Sequence, residues 1–198
     1  EEVGRSLVQH TPTQMVEYKP LTADDVAAQA QRINEVMERV MKKEVHYGLI
    51  PGCGKKPCLF KAGAEKLGLT FHLKPKYAIS ESRTDGHIRF TVVTSLYGPN
   101  GEFMGEGVGE GSTAEDKYGW RKAASPAEWD ATPEDKRRIK YYANGQAQQV
   151  RNNPADMANT VLKMAKKRSL VDAIITACAA SDILTQDIED MSPELRGG

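Results

Sequence analysis

Residues 154–184 read PADMANTVLKMAKKRSLVDAIITACAASDIL, and the rest of the chain has to be arranged around them. Their spacing predicts one long helix. Asn153 stands at the N-cap, and Pro154 takes the first helical position, where the missing amide does no harm. Met157, Val161, Met164, Val171, Ile175 and Cys178 recur at intervals of three and four, which lays an apolar stripe down one side. Arg168 falls on that stripe with Asp172 one turn later, and Lys163, Lys166 and Lys167 project elsewhere. Such a helix needs an apolar surface to lie on and carries a positive flank.

The surface comes from upstream. From Leu69 the apolar period changes to two. Leu69, Phe71, Leu73, Tyr77 and Ile79 alternate with Thr70, His72, Lys74 and Lys76, as in a strand with one buried face. Residues 81–86, ESRTDG, read as a turn, and Ile88, Phe90, Val92 and Leu96 mark a second strand. GPNG at 98–101 is a second turn, and residues 102–111 form a third strand. The expected product is an antiparallel meander whose outer face groups Lys74, Lys76, His87 and Arg89. Glycine at 105, 107, 109 and 111 strips one face of the third strand. That weakens a sheet unless another backbone or a ligand comes close, so the expectation is a tightly packed helix, with a ligand as the alternative.

Residues 1–20 lack periodicity and read as a flexible arm. Thr22 caps a helix running to about Lys43, with Asp24 and Asp25 in its first turn and Val26, Ala30, Ile33, Met37 and Val40 on its apolar face. GLIPGCGKKP at 48–57 is a loop, and a short helix follows from Lys61 to Leu67. Residues 112–152 interrupt the pattern as a polar insertion, with Thr132-Pro133-Glu134 as a helix start. Cations interleave with rings here: Lys117, Tyr118, Trp120, Arg121 and Lys122, then Lys136, Arg137, Arg138, Lys140, Tyr141 and Tyr142. Single-stranded nucleic acid needs such a mixture, because bases stack and phosphates pair. Rings that merely anchor the insertion would look the same. Residues 185–198 are an acidic tail. The whole reads as one α+β domain.

The 198 residues carry 27 basic and 27 acidic side chains, so no global field announces a polyanionic partner. No apolar run is long enough to span a membrane, and EEVGRSLVQH lacks the pattern of a signal peptide. Three irregularly spaced cysteines make no disulfide framework, and a reducing cytoplasm is the expected location. Around Gly48 and Gly54 the spacing departs from a P-loop, and Lys55 is followed by lysine in place of Ser or Thr. The Gly105–Gly111 run is not a dinucleotide fingerprint, and Cys53 and Cys58 with His46 or His72 do not match a zinc knuckle. No catalytic constellation, metal site or cofactor is expected.

The order of elements resembles the core of the single-strand annealing proteins, the Rad-fifty-two-like superfamily with its many phage members. The residues that carry the likeness are HIRFTVVTSLYGPNGEFMGEGVGEG at 87–111 and ANTVLKMAKKRSLVDAIITA at 158–177. In that family a glycine-patterned strand leads to a helix of the form K-A-x-K-x-A-[LV]-x-D-A, which Lys163–Ala173 matches in style with Asp172 at the aspartate. VMKKEVHYGLIPGCGKKPCLFKAGAEKLG at 40–68 is similar to associated phage recombination proteins. The likeness covers about residues 40–185, broken by the insertion. Ile174, Ile175 and Thr176 depart from it, since family members place further basic residues there.

The resemblance implies a β-β-β-α annealing core: a three-stranded meander packed on a long helix, with an N-terminal helix and an inserted polar segment. It implies an ATP-independent protein, encoded by a phage or mobile element in a bacterial host. This protein forms homo-oligomeric rings or filaments, holds single-stranded DNA and pairs complements in recombination and repair. A phage exonuclease or a single-strand binding protein is a candidate partner. Cations that neutralise phosphates let two repelling strands approach, and repetition around a ring multiplies a modest local charge. The expected groove combines Lys74, Lys76, Arg83 and Arg89 with Lys163, Lys166 and Lys167. Lys117, Arg121, Lys122, Arg137 and Arg138 are second-rank contacts, with Tyr118 and Trp120 as stacking rings. Two alternatives stay open: a non-catalytic protein-interaction module and a metal-dependent nucleic-acid enzyme.

Overall fold

The computed structural model describes residues 20–50 and 56–186. They form helix α1 (Ala23–Arg39), strands β1 (Tyr47–Gly48) and β2 (Cys58–Leu59), helix α2 (Lys61–Thr70) and strands β3 (Lys74–Thr84), β4 (His87–Tyr97) and β5 (Phe103–Ser112). Helix α3 (Asp116–Gly119), strand β6 (Trp120–Lys122), helix α4 (Pro126–Ala131), a 3-10 turn (Glu134–Lys136) and strands β7 (Arg137–Tyr142) and β8 (Gly145–Arg151) follow. Helix α5 (Pro154–Ala177) and strand β9 (Thr185–Gln186) complete the α+β fold.

The meander is present as β3-β4-β5, antiparallel throughout. Its first hairpin is tighter than the sequence reading. Residues 81–84 stay in the ladder, and only Asp85 and Gly86 turn, both at positive φ (52° and 76°). Asp-Gly supplies the left-handed pair that matches strand twist in a two-residue hairpin. Helix α2 also continues to Thr70, so Leu69 belongs to its last turn and the first long strand starts at Lys74.

Helix α5 lies across β4 and β5 on the face that carries Ile88, Phe90, Val92, Thr94 and Leu96. Its backbone sits directly on the glycine stripe. A Cβ on Gly107 would come within 2.7 Å of the Ala173 Cα, one on Gly109 within 2.7 Å of the Arg168 Cβ, and one on Gly111 within 2.8 Å of the Val161 carbonyl. Gly105 faces Ala177 in ordinary contact. The glycines therefore serve helix packing, as expected. Two strand residues advance about 7 Å and four helical residues about 6 Å, so glycines two positions apart meet helix residues four apart.

The helix differs from its sequence reading in length and in its buried face. It ends at Ala177 with Cys178 as C-cap, and Ala179 turns the chain at φ 50°. Its buried residues are Val161, Ala165, Ser169, Leu170, Val171, Ala173, Ile174 and Ile175, while Met157 and Met164 are only half-buried. The small residues meet the glycines. Ile174 and Ile175 enter a second core with Ile33, Leu59, Leu67 and Leu184.

Arg168 and Asp172 leave the apolar stripe and clip the helix to β5. Asp172 Oδ2 accepts from the Val108 amide (2.8 Å), and the Arg168 guanidinium donates to the Glu110 carbonyl and to both Glu115 carboxylate oxygens. Between the layers, Thr94 and Ser169 share a buried hydroxyl–hydroxyl bond of 2.6 Å.

At the N-terminal end, Thr22 and Asp25 form a capping box, but the helix stops at Arg39 and leaves Val26 and Val40 exposed. Thr185 and Gln186, read as the start of a tail, pair in parallel with β2. The expected arm and the rest of the tail lie outside the described residues, as does Cys53. Cys178 is buried in the core, and burial pushes its thiol up to about 11.

Candidate nucleic-acid interface

Because α5 covers β4 and β5, the inner face of β3 is left uncovered beside it. The register puts Tyr77 opposite Thr94, Ile79 opposite Val92 and Arg83 opposite Ile88, all on the helix side. A trough runs between this strand and the helix, and α2 closes one end of it. Lys61, Glu65, Tyr77, Thr160, Lys163, Met164, Lys166 and Lys167 line a cleft there of about 530 Å³. Lys166 Nζ stands 4.3 Å from the centre of the half-buried Tyr77 ring, a cation–π contact. Burial raises the Tyr77 hydroxyl above its ordinary range, so the ring stays neutral at physiological pH. Lys61 pairs with Glu65 at 3.3 Å, and Lys163, Lys166 and Lys167 form the helix wall of the cleft.

The first-rank residues of the sequence reading do not form one groove. Lys163, Lys166 and Lys167 do converge. Arg83 shares their face, but it lies about 20 Å along β3 from Tyr77 and pairs with Glu81 at 2.7 Å. Lys74, Lys76 and Arg89 are on the opposite face of the sheet. They are not clustered even there. Lys76 faces Ser95, six positions along β4 from Arg89 and hence about 20 Å away. His87 lies at that far end with Arg89, which pairs with Glu110. Strand parity assigned these faces correctly; the cluster failed because parity gives no position along the strand. Lys61 and Tyr77, absent from the expected groove, complete it, and no motif marks them.

The insertion is more ordered than its composition implied. It builds its own sheet in the order β6-β8-β7. Besides the single turn of α3 it holds α4, capped by Ser125 with Pro126 in the first turn, and where a helix from Thr132 was expected a single 3-10 turn stands. Ser-Pro-Ala-Glu at 125–128 was the available signal. Most of the second-rank residues are engaged within the protein. Arg138 and Arg151 cover Trp120 from 4.3 and 4.2 Å, and Tyr118 is buried. Arg121 grips Glu128 with both guanidinium nitrogens, Arg138 and Lys140 share Asp116, and Lys117 reaches Glu115 at 3.9 Å. Arg137 donates to the Trp129 carbonyl (2.8 Å) and stacks on its ring. Lys122 of this set is exposed, and it shares the Trp120 face of β6. The rings thus anchor the insertion, which removes Trp120 and Tyr118 as open platforms for bases.

No family model and no curated protein matches this chain. Among the described residues, no three His, Cys, Asp or Glu side chains converge as a metal-binding group, and no helix is long and apolar enough to cross a membrane.

The network makes the insertion acid-sensitive. Hydrogen bonds from Arg138 hold the Asp116 carboxyl down to about 2, and those from Arg121 do the same to Glu128. A carboxyl depressed by folding stabilises at pH above its unfolded value, and that contribution disappears as pH falls through the folded value. Between about pH 4 and pH 2 the insertion should loosen first, by a modest amount because both sites are solvent-screened. Trp120 and Trp129 are the chain's two tryptophans, so fluorescence and near-ultraviolet circular dichroism report on this segment. Their signals should change over that window before far-ultraviolet ellipticity falls; a flat tryptophan signal down to pH 2 would remove the network's role.

Proposed function

We propose that the protein binds single-stranded DNA along the trough between β3 and α5 and promotes pairing of complementary strands without nucleotide hydrolysis, as a homo-oligomer. The observation that carries this reading is the convergence of Lys163, Lys166 and Lys167 on one open cleft in a chain of zero net charge. Lysines are mobile point charges that contact phosphates without reading sequence. Bound in this way, a strand keeps its base edges outward, where a complement tests them by pairing. The resemblance of residues 87–111 and 158–177 to the annealing superfamily supports the same reading.

Mixing two complementary labelled oligonucleotides with the protein, without ATP, over a salt series tests it. Acceleration that fades with salt is expected, because each phosphate contact releases counterions. No acceleration and no binding to either strand would remove the proposal. One observation favours a second reading, an interaction module: the outer face of the meander is open and exposes Phe103, Met104 and Val108. That reading gives partner binding with no salt-sensitive affinity for single strands.

A further inference from the structure

The two edges of the meander are finished differently. On β5, side chains take the outward main-chain groups in turn. The Val108 amide donates to Asp172 Oδ2 (2.8 Å), the Glu110 carbonyl accepts from Arg168, and the Ser112 amide donates to Glu115 Oε1 (2.8 Å). That edge is closed to a further strand. The same bonds fix the ladder. Because Val108 points its amide away from β4, the opposite residue, Val93, turns to β3 and exchanges bonds with Ala78. Tyr77, Ile79, Glu81 and Arg83 therefore turn their amides and carbonyls to the other edge. There β3 has no strand beside it among the described residues, and of its eleven residues only Tyr77 is half-buried. An open edge of this length is a template for strand pairing.

We propose that this edge pairs with the β3 of a second copy, antiparallel about a two-fold axis at Ile79, joining two meanders into one six-stranded sheet. Full overlap of the two strands fixes the register: Lys74 lies opposite Thr84, Lys76 opposite Ser82, Tyr77 opposite Glu81, and Ile79 opposite itself. The charges agree with this arrangement. A parallel pairing in register would set Lys74 and Lys76 beside their own copies, whereas here the two Lys76 residues stand about 20 Å apart. A head-to-tail ladder onto β5 is barred by the caps of that edge. On the inner face Glu81, bonded to Arg83 through Oε1, comes beside the second copy's Tyr77 and the Lys166 ammonium over its ring. Ile79, 48% exposed, is covered by its counterpart. The axis is perpendicular to the sheet, so both α5 helices stay on one side. The two troughs then merge into one channel, walled by Lys163, Lys166 and Lys167 of each copy. The inference rests on the homo-oligomer of the reading above and names its interface.

Measured without DNA, the interface fails separately from the trough. Opposed residues of a bond-exchanging pair have Cα atoms about 5.5 Å apart, within the span of a disulfide. Ile79→Cys should therefore form an intermolecular disulfide on mild oxidation. Ser82→Cys, whose copies stand about 20 Å apart, should give no more than the wild-type chain, which has Cys53, Cys58 and Cys178 of its own. Ile79→Lys sets like charges at the axis and should weaken the dimer at least about tenfold. Its native mass should fall to that of the monomer at concentrations where the wild type is a dimer, with unchanged far-ultraviolet circular dichroism. A wild type that is a monomer throughout, a dimer indifferent to Ile79→Lys, or equal cross-linking at 79 and 82 would overturn the interface and leave the trough standing. If the Ile79→Cys cross-link forms alone and the protein binds no single strand, the interface stands and only the trough reading fails.

Discussion

Gly107→Ala is expected to cost at least about 3 kcal/mol, a large share of the ~5–15 kcal/mol that holds a domain folded. A β-carbon at this position would overlap the Ala173 amide nitrogen and stand 2.7 Å from the Ala173 Cα and the Asp172 carbonyl carbon. Those atoms belong to the backbone of a 24-residue helix and cannot turn aside as a side chain would. Relief requires lifting α5 from the sheet. That would break the Thr94–Ser169 bond and the Asp172 clip to Val108, and would separate Val92 and Phe90 from Val161 and Ala165. Ala173→Gly should not rescue the variant, since the clash is with backbone. Gly109→Ala should behave alike, because Ser169 and Ala165 backbone atoms block it. Gly105→Ala meets nothing closer than 3.6 Å, but its φ of 144° adds strain, so an intermediate loss is expected. Urea denaturation of the series measures this; a loss under about 1 kcal/mol for Gly107→Ala would mean that the layers are not locked by the glycines.

Much of this architecture was legible because two periodicities carry it. Alternation at Ile88, Phe90, Val92 and Leu96 and the glycine at every second position define strands, and the glycines themselves require a close neighbour. Helix α5 announces itself through Asn153-Pro154 and its length. The buried side of that helix is harder to read: Val161, Val171, Ile175 and Cys178 of the expected stripe are buried, but Ala165, Ser169 and Ala173 are weakly hydrophobic and stand outside it. Small residues bury little area but allow the backbone to approach, and a hydrophobicity pattern undervalues them. Arg168 and Asp172 were likewise read by position on a wheel, whereas their partners, the Val108 amide and Glu115, come from other elements.

The candidate site was legible in part, for a related reason. Lys163, Lys166 and Lys167 were identified as a positive flank, but what they face depends on the helix covering two strands of three. Nothing local in β3 states that its inner face stays open. Lys74 and Lys76 drew attention by charge alone and sit on the far side of the sheet. In the insertion the mixture of cations and rings had two readings, and tertiary partners decided between them: Asp116 and Glu128 lie 22 and 7 residues from Arg138 and Arg121, too far for any short motif to pair them.

Replacing Lys163, Lys166 and Lys167 together by glutamine is expected to weaken single-strand affinity by several hundredfold at about 50 mM salt. Each phosphate contact to a single strand adds about 0.7 to the logarithmic salt slope, which is worth close to a factor of ten at that concentration. Three lost contacts should therefore lower the slope by about two, and the deficit should shrink towards zero near 1 M salt. Glutamine stays polar while removing the charge, and at position 166 it also removes the ammonium that stands over the Tyr77 ring. The loss should be equal for sequences of different composition, because phosphates carry no sequence information. Lys74→Gln with Lys76→Gln, on the opposite face, is the matched control and should change affinity less than twofold. Equilibrium binding of oligo-dT across a salt series reads both quantities. An unchanged slope in the trough variant, or a larger loss in the control, would move the binding surface to the other side of the sheet. The open apolar residues Phe103 and Val108 on that side would then have to be explained as neighbours of the DNA.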